Sequence, residues 1–195
     1  MDVVLIDHYD SFSFNVLDWL ERGGFAVRRV MCDDAAAMSK LAAPGLATPP
    51  LVISPGPRHP DAYPMTLAVM QRALGRLPML GICLGHQMMG RLAGAAVVQG
   101  RSPFHGTTRS VRFEHGEVME VGVYHSLAVD PNGIKAPWHV TARCLETGDV
   151  MGIEYRGSGA RAIGWQFHPE SFLTTKSEAL LSAYASAMAP LSIPS

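Results

Sequence analysis

The sequence predicts an α/β fold: a doubly wound, mostly parallel sheet with flanking helices and a strand-rich second half, in one domain over residues 1–195. Three observations carry this reading. Short continuous apolar runs alternate with helix-period segments through the first half, as strands buried on both faces of a parallel sheet require. The second half loses that alternation and is punctuated by Gly, Asn and Pro turns. A chain of 195 residues, 48% of them hydrophobic, is enough for one substantial core.

The elements follow in order. Val3-Val4-Leu5-Ile6 reads as the first strand. After an Asp10-Ser11-Phe12-Ser13 turn, residues 14–22 read as a helix with Phe14, Leu17 and Leu20 on one face, stopped by Gly23-Gly24. Ala26 to Met31 is the second strand, and Leu51-Val52-Ile53 the third, ending in the loop Ser54-Pro55-Gly56-Pro57. The Ala- and Pro-rich stretch 42–50 reads as a surface connection. Residues 64–76 fit a helix, Pro78 to Ile82 a strand and 84–93 another helix. From Ala96 to Phe167 the chain is strand-rich, with turns at 131–133, 147–149 and 157–159, and residues 176–188 close it as an amphipathic helix. Repeated β-α units of this kind place ligands near the carboxyl ends of the strands.

Composition narrows the function. The formal net charge is -1 and no long run of one sign occurs. A nucleic-acid partner is therefore not expected, nor a membrane surface. The apolar runs are too short to span a bilayer, and Met1-Asp2 does not open like a signal peptide, so a cytoplasmic protein is expected. Cys32, Cys83 and Cys144 are widely spaced with no C-x-x-C pair, a poor disulfide framework and a poor zinc site. With no P-loop and no metal-ligand cluster, neither a cofactor nor a metal is expected. The useful question is whether one thiol is reactive.

Gly81-Ile82-Cys83-Leu84-Gly85-His86-Gln87 follows an apolar strand and opens a helix. This is the G-x-nucleophile-x-G arrangement of a nucleophile elbow, with Cys in place of Ser. Side chains at the two glycines would collide across so sharp a turn. The helix start points free N–H groups and a positive dipole end at the sulfur, favouring its reactive anionic form. The backbone N–H of Leu84 is placed to donate to an oxyanion. The plain alternative for Cys83 is a structural cysteine between packing glycines; Cys32 and Cys144, which lack this context, read as small apolar core residues.

A thiolate acyl-transfer catalyst also needs an acid/base and a group that orients it. Among eight histidines, His168 in Gly164-Trp165-Gln166-Phe167-His168-Pro169-Glu170 has that setting. At a strand end, positions i and i+2 face the same way, so His168 and Glu170 lie side by side, with Pro169 stopping the strand. Glu170 would hold one imidazole tautomer and stabilise its charged form. By itself, a surface His beside a surface Glu explains the tripeptide; the cysteine elbow gives it weight.

Cys83 in G-I-C-L-G-H-Q, with His168 and Glu170 in F-H-P-E, resembles the triad of the class I glutamine amidotransferases, a flavodoxin-like fold. Asp7-His8-Tyr9-Asp10-Ser11-Phe12-Ser13-Phe14-Asn15 is similar to the D-x-x-D-S-F-x-x-N opening of the small subunits of anthranilate and aminodeoxychorismate synthases. Tyr124-His125-Ser126-Leu127, Ser54-Pro55-Gly56-Pro57 and His105-Gly106 extend the likeness from residue 3 to about 188. The resemblance implies that Cys83 attacks the side-chain amide of L-glutamine and His168 protonates the departing ammonia. Gly56 would supply a second oxyanion N–H beside Leu84. Gly56, Pro57, Arg58, Gln87, Ser126 and Leu127 would form the substrate pocket, while His86 supports the elbow. The resemblance also implies a partner that receives the ammonia, a chorismate-binding synthase large subunit, with no cofactor.

The chain departs from the family pattern at three places. Arg58 stands where the family loop has a second Gly, Thr107 where it has Lys, and Val123 where it has Arg; the connection 107–123 is also short. Arg58 would be costly if its backbone needed positive φ. Two other readings stay open on sequence alone: a cysteine hydrolase of γ-glutamyl compounds or peptides, and a degenerate regulatory subunit. Gln87, His125-Ser126 and the Asp10–Phe14 stretch likewise have plain readings as a helix start, a turn and a helix cap.

Overall fold

The computed structural model describes residues 1–43, 45, 48–101 and 106–188. Its centre is a nine-stranded sheet. The parallel part holds β1 (Asp2–Asp7), β2 (Ala26–Met31), β3 (Leu51–Ile53) and β4 (Met79–Ile82), joined by β11 (Ala162–Trp165), in the order β2-β1-β3-β4-β11. Antiparallel strands β10 (Val150–Tyr155), β9 (Trp138–Cys144), β6 (Thr107–Phe113) and β7 (Val118–Val123) extend it from β11 outward. The strand-rich half thus continues the sheet of the first half. Strands β5 (Val97–Gln99) and β8 (Leu127–Val129) form a separate antiparallel pair.

Winding on both faces follows from residue alternation. Val3 and Leu5 of β1 pack with Trp19 and Leu20 of α1 (Ser13–Arg22) and Leu180 and Tyr184 of α5 (Ser177–Met188). Val4 and Ile6 point the other way, toward α2 (Ala35–Leu41), α3 (Pro64–Ala73) and α4 (Leu84–Leu92), through Met38, Met70 and Met88. A strand covered on both faces has no polar position, hence its unbroken apolar run.

The structure differs from expectation in a few elements. α3 stops at Ala73 rather than residue 76, because Gly75 takes φ +72 and breaks the helix. β4 begins at Met79, leaving Pro78 to accept from Leu51 N. α2 was not foreseen: it is seven residues long, Ala-rich and capped by Asp34, whose side chain accepts from Ala37 N. Residues 44, 46 and 47 of the expected 42–50 connection, and His105, lie outside the described residues. Among the described residues no helix is long and apolar enough to cross a membrane, and no group of His, Cys, Asp and Glu could hold a metal ion.

Candidate active site

Cys83 joins β4 to α4 with φ 52 and ψ -98, a conformation a non-glycine residue adopts only under constraint. Its N–H donates to Trp165 O at 2.8 Å, and its carbonyl accepts from Gln87 N at 3.0 Å. The flanking glycines are steric necessities. A Cβ on Gly81 would stand 2.5 Å from the Gly85 carbonyl, and one on Gly85 2.5 Å from Ile53 O. The sharp turn therefore exists because three backbone segments pass within contact of one another. Leu84, the first residue of α4, buries its side chain and leaves its N–H at the helix start beside the sulfur.

His168 and Glu170 do lie side by side, with Nδ1 2.7 Å from Oε1. They do not sit on a strand, as the i, i+2 argument supposed. β11 ends at Trp165, and His168 is held by a single bridge to Gly122 before the chain turns. The turn is fixed by Thr174, whose hydroxyl donates to His168 O at 2.6 Å and accepts from Gly122 N at 2.9 Å. Burial opposes charge on the imidazole, but the Glu170 carboxylate and the nearby Cys83 sulfur outweigh it and raise its pKa well above the ordinary histidine value. Nε2 itself makes no hydrogen bond of good geometry within the protein.

A cavity of about 310 Å³ opens at the carboxyl ends of β1, β3 and β4. Gly56, Pro57, Arg58, Cys83, Gln87, Ser126, Leu127 and His168 all line it. Of the residues expected to be catalytic or to donate to the oxyanion, Leu84 and Glu170 are not among those lining the cavity. Arg58 is not among the non-glycine residues with positive φ, so it carries no backbone strain. Its side chain borders this cavity and a neighbouring groove lined by His8, Tyr9, Asp33 and Tyr63. Gln87 reaches across the pocket floor: its Nε2 donates to Leu127 O at 3.1 Å and to Gln166 Oε1 at 3.3 Å.

Sequence reasoning missed three residues here. Gln166 is fully buried and directs Nε2 at Cys83 Sγ, 3.7 Å away. Its place two residues before His168 was the available signal. Phe12 and Tyr124 cover the imidazole, with ring centroids 4.7 and 4.9 Å from that of His168 and 4.5 Å from each other. The Asp10–Phe12 stretch is therefore wall of the cavity as well as approach to α1. α1 itself has no side-chain cap.

A constrained cysteine at a helix start, facing one cavity with a carboxylate-backed imidazole, is the apparatus of a cysteine-dependent acyl-transfer enzyme. Residues 4–186 match the family described as glutamine amidotransferase class-I, and the chain belongs to it. It is 37% identical over 190 residues to aminodeoxychorismate synthase component 2 of Escherichia coli, covering 93% of this chain and 98% of that one. It is also 37% identical over 193 residues to the pyocyanine-specific anthranilate synthase component 2 of Pseudomonas aeruginosa, covering 93% of this chain and 91% of the relative. In fold it resembles a glutamine amidotransferase of Thermotoga maritima, with a TM-score of 0.66 at 19% identity, over 95% of this chain and 83% of that one.

Proposed function

We propose that the chain is the glutamine-hydrolysing component of a two-component synthase that aminates chorismate. The observation that carries this is the single cavity shared by Cys83, His168, Gln87 and the Ser126-Leu127 backbone in a chain of this family. In this reading the Cys83 thiolate adds to the amide carbon of glutamine. The resulting oxyanion faces the N–H groups of Leu84 and Gly56. His168, held charged by Glu170, gives its proton to the nitrogen, the C–N bond breaks, and ammonia leaves a γ-glutamyl thioester. The now neutral His168 takes a proton from water, hydroxide adds to the thioester carbon, and glutamate departs with the thiolate restored.

Arg58 and Asp10 offer opposite charges at the cavity rim to the α-carboxylate and α-ammonium of the substrate. Pro57 keeps the loop between Gly56 and Arg58 stiff. Residues 1–195 would act as one domain, supported by the sheet that runs through both halves. A cytoplasmic setting, where thiols stay reduced, suits a thiolate catalyst. Ammonia would pass to a large subunit that binds chorismate. The relatives at 37% identity include components of both aminodeoxychorismate and anthranilate synthases, so either product is compatible. The test is glutamate release from glutamine, with and without the synthase subunit recovered by affinity capture. Cys83→Ser abolishes it in this reading; undiminished hydrolysis by that variant overturns the nucleophile.

A further inference from the structure

His8 follows β1, is fully buried and has no part in the chemistry above, yet its polar atoms grip the start of the loop that carries Gly56. Its backbone N–H donates to Ser54 Oγ at 3.0 Å, and Nδ1 lies 3.1 Å from the same oxygen. Ser54 Oγ also donates to Pro55 O at 2.6 Å. A hydroxyl has one proton, and here it is committed to Pro55, so Nδ1 is the donor of the His8–Ser54 pair. In the neutral ring Nε2 is then an acceptor, and it takes the Thr66 hydroxyl proton at 3.1 Å. Burial, opposed by the Asp7 charge, lowers the His8 pKa to about 4, in keeping with this neutral tautomer. In this arrangement each ring nitrogen and both hydroxyls have a partner.

The packing points at Gly56 as well. A Cβ there would stand 2.9 Å from His8 Cβ and 2.2 Å from Leu84 Cδ2. Gly56 is thus wedged between His8 and the residue that follows the nucleophile. We propose that His8 is a positioning residue: its Nδ1–H clamp on Ser54 and its contact with Gly56 hold the Gly56 N–H in register with that of Leu84. This rests on the reading of Gly56 as the second oxyanion donor. A displaced donor weakens the transition state while leaving ground-state glutamine binding intact, so the effect belongs in kcat and not in KM.

The experiment uses the full chain, with its synthase subunit where glutaminase activity needs it, in His8→Ala, His8→Asn and His8→Gln. Asn places an amide N–H where Nδ1 was; Gln places one where Nε2 was. Glutaminase kinetics and hydrogen exchange of the Gly56 amide are read together. The expected result is a kcat loss of about 10- to 100-fold in His8→Ala at near-constant KM, with faster Gly56 exchange, from removal of one preorganised donor. His8→Asn, but not His8→Gln, recovers most of both, and it also serves if His8→Ala folds poorly. Unchanged Gly56 exchange and unchanged kcat in His8→Ala overturn the proposal, as does rescue by Gln in preference to Asn. Faster exchange with intact kcat overturns instead the donor role of Gly56, and the catalytic meaning of His8 with it.

Discussion

Nδ1 of His168 lies 2.7 Å from Oε1 of Glu170, and the two side chains are only 2% and 0% exposed. A pair so shielded from solvent fixes both the tautomer and the charge of the imidazole. Glu170→Gln keeps the shape but removes the charge. We expect kcat to fall about 100-fold or more, the range of a general acid/base losing its function. Stability supplies an independent reading. The folded His168 pKa is raised above the ordinary 6.5, so the pair's stabilisation is complete below that pH and is lost as pH rises through the folded value. Urea denaturation should show a wild-type advantage over Glu170→Gln that shrinks toward alkaline pH; an advantage that grows there would contradict the raised pKa.

The backbone at Cys83 gives a second prediction. Alanine normally beats glycine in stability, because glycine has more freedom to lose on folding. At φ 52 and ψ -98 the order should reverse. Both Cys83→Gly and Cys83→Ala are expected to be inactive, and the glycine variant to be the more stable of the two by about 1 kcal/mol, from relief of strain. Thermal melts of the two side by side decide it.

How far the sequence revealed this site depends on how local each cause is. The elbow was legible because the glycines, strand and helix that make it are contiguous, and the close approach of Gly81 to Gly85 is encoded within five residues. The His168–Glu170 pair was found for a partly wrong reason: its geometry comes from the nearby Thr174 and the distant Gly122, contacts that the i, i+2 spacing does not report. Gln166 and Phe12 were missed because their meaning arises only when β4, β11 and the approach to α1 converge. The parallel strands showed as apolar runs. The antiparallel extension through β10, β9, β6 and β7 showed as strand-rich sequence without its order, since hairpin turns do not say which sheet their strands join.

A third prediction tests the steric account of the turn. In Gly85→Ala the new methyl meets Ile53 O at 2.5 Å, a backbone atom that cannot swing aside. The variant should lose about 2 kcal/mol, as overpacking of a core does, and lose activity through displacement of the elbow. A Gly85→Ala protein with wild-type melting and wild-type kcat would show that the three backbone segments are not in contact in solution.

The aromatic cover gives a fourth. Phe12 and Tyr124 lie on the imidazole of His168, and Tyr124 is held by a 2.9 Å hydrogen bond between its hydroxyl and Ser171 Oγ. Removing Phe12 admits water and relaxes the burial that now opposes charge on the ring. Phe12→Ala is therefore expected to raise the His168 pKa further and to lower kcat several-fold, in line with about 1 kcal/mol for an aromatic contact. Phe12→Leu, which keeps the cover without the ring, should fall between the two. The pH profile of kcat read across the three proteins checks the direction; a downward shift in Phe12→Ala would oppose it.

Two buried histidines set the acid limit of the fold. Burial holds the His86 pKa to about 3 and that of His8 to about 4, against 6.5 for an unperturbed imidazole. For His86 the opposing contributions from the backbone of Gly164 and Val150 and the further lowering by His125 are smaller than this burial effect. A folded pKa below the unfolded value means that the unfolded chain takes up a proton first as pH falls. The stability is thus whole above about 6.5 and drains away toward 4 for His8 and toward 3 for His86, by about 1.4 kcal/mol per pH unit for each histidine while only the unfolded form is protonated. Between pH 6 and pH 5, where most carboxylates remain ionised, the two should dominate the slope. Urea denaturation across this interval is expected to show a loss near 2–3 kcal/mol in the wild type. His86→Leu, which fills the same space beside Gly164 with an apolar group, should cut that slope by about half. An undiminished slope in His86→Leu would mean that His86 is protonated in the folded protein, and that the space between α4 and β11 is open to water.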